Sequence, residues 1–338
     1  MMKLTKSPKN PILRPVPAHE WENLVVLNPA VVYDESTKRF TMLYRAAGDT
    51  VEHYIHLGLA TSENGIDFVR ESDAPVLSPD YFGADGGCVE DPRLVKMGDW
   101  YFLTYAARPY APGRYWLNAP KPWFNPPKDG PTFLSWNNSV TYLAITQDFR
   151  TYKKLGRMTD SREDDRDVYV FPERVGGKFV RLSRPMFKCG AGYPNENPAI
   201  WISFSDDLLE WPAPTILMQG ETWWESKKIG GSCPPIRTPY GWFVIYHGVA
   251  RKDDAYRVGA VLLDLDDPTR ILARTKEPIM EPEFDYETSG VYNGCVFPTG
   301  NVVKDGVLYV YYGAADRFVC VATCDFEALL QDLLKEGK

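Results

Sequence analysis

Glu90-Asp91-Pro92-Arg93 places two adjacent carboxylates, a proline and a guanidinium within four residues, directly after Gly86-Gly87. Such a group can do acid–base work, because a carboxyl held in a fixed backbone can pass a proton to a departing group. The run Leu94–Tyr105 that follows reads as a β-hairpin turning at Gly98-Asp99. Asp91 is therefore expected at the mouth of a rigid strand. The bland alternative is that Asp91 and Arg93 form an ion pair that only closes a strand end. A second chemistry lies in cations and donors spread along the chain: Arg166, Arg184, Lys228, His247 and Tyr256. Two guanidiniums and an ammonium can hold a phosphate through charge-assisted, partly bidentate hydrogen bonds. Gathered in one place, a few acids (Glu90, Asp91, Asp316) facing these cations suit attack by an anionic nucleophile. Left apart, each cation is ordinary surface charge.

Internal repetition supplies a way to gather them. An apolar strand followed by Ser, Thr or Asp and then a large apolar residue recurs at Leu57–Phe68, Leu143–Phe149, Ile202–Trp211, Ala260–Pro268 and Val321–Phe326. The last three intervals are roughly 60 residues, loosely within the range of propeller-like arrays. Each copy follows a hairpin with a Gly-, Asp- or Lys-rich turn: Ala30–Tyr44, Leu94–Tyr105, Val168–Leu182, Ile236–Tyr246 and Val296–Tyr312. A hairpin plus a third strand, five times over, predicts an all-β chain: a single five-bladed β-propeller domain over residues 1–338. The innermost strands of a propeller line one central channel. Asn28, Asp91, Arg166-Asp167 and Lys228 lie at the openings of inner strands, and Arg45, Arg184, His247 and Asp316 end the returning strands, so these residues would converge. An insertion over 106–138, rich in Pro and aromatics, reads as an ordered loop that covers the site or meets another subunit. Apolar spacing over 326–335 predicts one short C-terminal helix packed on the outside.

Composition narrows the function. The 338 residues carry a net charge of −7, which argues against a nucleic-acid partner, since that requires a basic face. No apolar run reaches membrane-spanning length, and Met1–Pro8 lacks the apolar core of a signal peptide, so no membrane association is expected. Cys88, Cys189, Cys233, Cys295, Cys320 and Cys324 are scattered without a CxxC pair, which predicts reduced thiols and a cytoplasmic protein. With His19, His53, His56 and His247 dispersed, no metal site is expected.

The motifs Glu90-Asp91-Pro92-Arg93, Phe171-Pro172-Glu173, Ser183-Arg184-Pro185, Trp224–Gly230, Gly241-Trp242, Tyr246-His247-Gly248 and Tyr312–Asp316, in this order, resemble glycoside hydrolase family 130. The resemblance runs from Asn10 to Thr323 apart from the Pro-rich insertion. It implies a five-bladed propeller acting on β-mannosides, mostly by inverting phosphorolysis that releases α-mannose 1-phosphate, while some branches hydrolyse β-1,2-mannosides. By position, Asp91 resembles the family's general acid, which reaches the glycosidic oxygen through the mannosyl 3-hydroxyl. Asn28, Arg45 and Asp316 match residues that hold the non-reducing mannose, with Glu90 beside them. Arg166, Arg184, Lys228, His247 and Tyr256 match the phosphate pocket, which the hydrolytic branches mostly lack. Asp167 departs from the pattern, since many phosphorylases carry Asn there. A carboxylate beside phosphate repels it unless it turns onto a cation.

The expected function is thus a β-mannoside phosphorylase using inorganic phosphate as co-substrate, with no cofactor. The rival is an inverting β-mannosidase with Asp167, Glu173 or Glu225 as base, its carboxyls roughly 6.5–9.5 Å apart. A sugar-binding propeller without catalysis would not need Asp91 or the cations. Linkage and acceptor stay open between β-1,2, β-1,4 and mannosyl-GlcNAc. Homo-oligomers are common in the family, but no stretch here specifies one.

Overall fold

A computed structural model of the chain describes residues 1–336. All five expected hairpins and their third strands are present, and each gains a short outer strand. The first unit is Val25–Asp34, Arg39–Ala47, Ile55–Ser62 and Val69–Arg70. Cys88–Met97, Trp100–Arg108, Val140–Thr146 and Lys153–Arg157 form the second, and Asp165–Val170, Phe179–Pro185, Ile200–Ser205 and Thr215–Met218 the third. In the fourth, Lys228–Gly231 and Ile236–Thr238 both pair with Gly241–Val249, which leads to Tyr256–Leu263 and Ile271–Arg274. The fifth comprises Val296–Lys304, Val307–Ala314 and Phe318–Asp325, and its outer edge is filled by Thr5–Lys6 from the other end of the chain. All these pairings are antiparallel. A single parallel bridge, Ile55 with Cys88, joins the first two units into one eight-stranded sheet, so the five repeats occupy four sheets.

Both faces of the units are buried, which is why strands such as Trp242-Phe243-Val244-Ile245-Tyr246 are continuously apolar. Successive side chains point to opposite faces. Phe243 and Ile245 join Val296, Leu308 and Val310 of the fifth unit, whereas Val244 and Tyr246 join Leu182 and Ile202 of the third. Other clusters join the first unit to the second, through Leu43 and Leu57 with Val89 and Leu103, and the second to the third, through Val95 and Leu143 with Val170. Val26, Phe40 and Met42 pack with Tyr311, Val319 and Val321, so the fifth unit rests on the first. Each fully buried Leu, Val or Phe contributes roughly 1.5–3 kcal/mol relative to exposure.

The helix Phe326–Glu336 buries Phe326, Leu329, Leu330 and Leu333, the i, i+3, i+4, i+7 stripe that its spacing predicted, against the fourth and fifth units. A four-residue helix at Asp285–Thr288 was not anticipated. No described helix is long and apolar enough to cross a membrane. The six cysteines are free thiols, four of them buried.

Candidate active site

The first strands of three units break their ladders in the same way. Register slips between Leu27 and Ala30, Glu90 and Arg93, and Arg166 and Tyr169. Asn28, Asp91 and Asp167 stand in these breaks with φ of 44°, 52° and 56°. A left-handed residue with a Cβ costs roughly 1–2 kcal/mol, least for Asn and Asp. At Pro29 and Pro92 the bulge also removes the need for a ladder N–H. Asp91 therefore lies inside a strand that begins at Cys88, not at a strand mouth. The bulges bring all three side chains to one cavity of about 450 Å³. Asp316, at φ 52° in the turn after Val307–Ala314, reaches the same cavity.

On one wall the carboxylates are tightly held. Asp91 Oδ1 accepts hydrogen bonds from Asn28 Nδ2 at 2.7 Å and Arg45 Nη1 at 2.9 Å. Arg45 Nη1 also lies 3.1 Å from Glu90 Oε2, and Arg108 Nε approaches Glu90 Oε1 at 3.5 Å. Burial pushes the Asp91 carboxyl up, but Arg45, Arg93 and the Asn28 hydrogen bond together hold it below its ordinary value. Asp316 is raised instead: burial dominates, and the negative Asp91 adds to it. Asn28 Oδ1 and Arg45 Nε have no partner among the described residues. Both atoms are shut off from solvent, with Asn28 Oδ1 turned against Gly313, so neither faces a ligand in this arrangement.

A second part of the lining is cationic. Arg166 grips Asp164 with two hydrogen bonds of 2.5 and 2.8 Å, and Arg184 Nε donates to Asp167 Oδ2 at 2.5 Å. Lys228 Nζ donates to the Tyr256 hydroxyl at 2.6 Å. Burial, Arg184 and Arg166 push the Lys228 ammonium down to about 7. For Asp167, burial is outweighed by Arg184 and Arg93, which hold the carboxyl well below its usual range. The lining side chains hold two more cations than carboxylates: Arg45, Arg108, Lys121, Arg166, Arg184 and Lys228 against Glu90, Asp91, Asp167 and Asp316. Such a set of donors can hold a tetrahedral oxyanion in the same cavity as Asp91.

Three expectations are corrected. His247 does not line the cavity; it is fully buried behind Asp167, its Nε2 3.7 Å from Oδ2 and its Nδ1 3.2 Å from Ser232 Oγ. Burial and the neighbouring cations keep its ring neutral, so it supplies packing and polarity here, not charge. Arg93 does not pair with the Asp91 carboxylate. Its Nη1 donates to the Asp91 backbone carbonyl and its Nη2 to Asp167 at 3.4 Å, tying the second unit to the third. Neither glutamate considered as a base reaches the cavity. Glu225 is buried in the cap of the turn Trp223–Glu225, with Tyr246 and Arg274, and Glu173 pairs with Arg237 at the surface.

The insertion folds over the cavity. Tyr115 donates to Asp316 Oδ2 at 3.1 Å, the Gly113 N–H to the Glu52 carbonyl at 2.8 Å, and Trp116 stands edge-on to His53. Tyr115, Lys121, Arg108 and Asn137 line the cavity and were not anticipated. Their only sequence signal was the ordered character of the loop. Glycine clears space behind the cations: a Cβ on Gly230 would lie 2.4 Å from Asp167 Oδ2 and 2.7 Å from Arg184 Nε.

Residues 3–123 and 132–336 match the glycoside hydrolase 130 family model, described as beta-1,4-mannooligosaccharide phosphorylase. The chain is 37% identical over 334 residues to a 1,2-beta-oligomannan phosphorylase of Thermoanaerobacter sp., covering 97% of this chain and 99% of that one. It is equally similar, at 37% over 339 residues and with the same coverage, to a beta-1,2-mannobiose phosphorylase of the same organism. Among solved structures, the beta-1,2-mannobiose phosphorylase of Listeria innocua in complex with beta-1,2-mannobiose superposes with a TM-score of 0.79 at 25% identity, covering 99% of this chain and all of that one. With the family model spanning nearly its whole length, this chain belongs to glycoside hydrolase family 130.

Proposed function

We propose that this protein is an inverting β-mannoside phosphorylase, which cleaves β-1,2-linked mannosides with inorganic phosphate to give α-D-mannose 1-phosphate and a shortened sugar. The observation that carries this reading is a single cavity lined by Asp91 together with Arg166, Arg184, Lys228 and Tyr256. Asn28, Arg45, Glu90 and Asp316 hold the mannose that is transferred. Phosphate on the cationic wall attacks the anomeric carbon from one face, while Asp91 protonates the departing oxygen on the other. Protonated Asp91 and hydrogen phosphate become ionised Asp91 and mannose phosphate monoanion. The product then returns a proton to Asp91 through solvent. The two Thermoanaerobacter relatives support the β-1,2 linkage over the β-1,4 linkage in the family model's description.

The architecture we infer is a five-bladed propeller built from the whole chain as one domain. Two facts support it: each unit shares an apolar cluster with the next and the fifth with the first, and all five contribute to the cavity wall. The free thiols fit a cytoplasmic setting. Hydrolysis would need a carboxylate free to activate water. Of those lining the cavity, Glu90 is engaged by arginines and Asp316 by Tyr115, while the cations around Asp167 hold its carboxyl well below its usual range and leave it a poor base.

Incubating the enzyme with β-1,2-mannobiose should release mannose 1-phosphate only when phosphate is added. Free mannose formed at the same rate without phosphate would overturn the assignment. A second expectation follows from Lys228, whose ammonium loses its proton near pH 7. Since binding phosphate requires the charged form, the KM for phosphate should rise as pH climbs from about 6 to about 9. Lys228→Arg should flatten that rise, because a guanidinium stays protonated throughout. Equal slopes in both enzymes would remove Lys228 from the phosphate site.

A further inference from the structure

We propose that Asp167 makes the cationic wall selective for a protonated tetrahedral oxyanion, so that phosphate is accepted and sulfate refused. The proposal rests on the phosphorolytic reading and concerns how its co-substrate is chosen. Asp167 is a buried carboxylate set among the cavity's cations Arg166, Arg184 and Lys228, an arrangement that is unfavourable for anion binding unless it does something. An ionised carboxylate offers about four acceptor positions. Oδ2 receives Arg184 Nε and faces the His247 ring, and among the described residues Oδ1 has only the long contact to Arg93 Nη2. Acceptor capacity therefore remains on a group that lines the cavity. Between Arg184 and Arg93 the carboxylate stays ionised at any pH at which the enzyme would work.

At neutral pH, hydrogen phosphate and sulfate are both dianionic tetrahedra of similar size. They differ in one hydrogen. Phosphate can turn its O–H toward Asp167 and make a charge-assisted hydrogen bond. Sulfate has no proton to place there and sets oxygen lone pairs against an ionised carboxylate. Asparagine would erase the difference, because its amide can present N–H to either anion. Pinning the one protonated oxygen against Asp167 also leaves the unprotonated oxygens free to face the anomeric carbon.

The test is a calorimetric comparison of inorganic phosphate, sulfate and monofluorophosphate binding to the whole wild-type protein and to Asp167→Asn, at a pH near 7.5 at which monofluorophosphate carries no proton. Wild type should bind phosphate roughly ten- to a hundredfold more tightly than either proton-free anion, the worth of one hydrogen bond to a charged group. In Asp167→Asn the three affinities should come within about threefold of one another. A general loosening of Arg184 would weaken all three anions together and leave the ratios where they were. Unchanged ratios in the variant, or sulfate binding wild type as tightly as phosphate, would overturn the proposal. Should Asp167→Asn fail to fold, the wild-type comparison of phosphate with monofluorophosphate decides alone. Because binding is read without turnover, an enzyme that shows the selectivity but no phosphate-dependent cleavage would sink the phosphorylase assignment and leave this one standing.

Discussion

Asp91→Asn should lower turnover about 10²- to 10⁴-fold in both directions, cleavage of a β-mannoside by phosphate and synthesis from mannose 1-phosphate. The amide can still accept from Asn28 and Arg45, whose donors lie 2.7 and 2.9 Å from Oδ1, so the sugar-binding wall should keep its shape. What is lost is the proton. The KM for phosphate should therefore barely move, because the cationic residues proposed to hold it are untouched. A donor that departs without protonation, such as a mannosyl fluoride, should react with the variant nearly as fast as with wild type. If turnover of the fluoride falls as far as turnover of the disaccharide, Asp91 only positions the sugar. The resting charge state adds a pH signature. Arg45 and Arg93 overcome the effect of burial and keep Asp91 ionised in the free enzyme. The fraction carrying the needed proton declines as pH rises, so kcat/KM for the mannoside should fall toward alkaline pH.

The strand skeleton was legible in the sequence because short apolar runs and turn residues are local signals, and repetition multiplies them. Ile202, Ala260 and Val321 sit in the third strands where they were expected. The convergence of Asn28, Asp91, Arg184 and Lys228 was also legible, since it needs only the topology. Backbone detail was not. Asn-Pro and Asp-Pro mark two of the bulges, but Asp167-Val168 adopts the same break without a proline, and nothing in its neighbourhood announces it. Pairings between units were equally hidden. Arg93 stands two residues from Asp91, yet its side chain serves Asp167, far along the chain, because the bulge turns the two side chains apart. His247 lies in the expected returning strand, two residues short of its end at Val249, but a neighbour with a larger claim on the cavity surface, Asp167, stands in front of it. Tyr115 and Lys121 come from a loop with no periodicity, where only the fold decides which residues face inward.

Arg184→Ala should have the second large effect, and it should be felt in stability as well as in phosphate use. The guanidinium is buried, lines the anion wall and holds Asp167 Oδ2 at 2.5 Å. Removing one member of a buried ion pair strands the other, at a cost of roughly 3–5 kcal/mol. Arg93, 3.4 Å from Oδ1, offsets part of this, so the lower end is expected. Burial would then push the Asp167 carboxyl upward, with less to oppose it. The sign of the pH dependence follows. In wild type the depressed Asp167 contributes stability that is present at neutral pH and lost on acidification. In the variant, acid protonates the stranded carboxylate and relieves it, so the stability gap between the two proteins should narrow as pH falls. Adding Asp167→Asn to Arg184→Ala should recover most of the stability at neutral pH while phosphate binding stays weak. That separates two tasks of one guanidinium: neutralising Asp167 within the fold and holding the incoming anion. Melting curves across pH, with phosphate titrations on the same three proteins, measure both. A double variant that regains tight phosphate binding would show that Arg184 serves only the first.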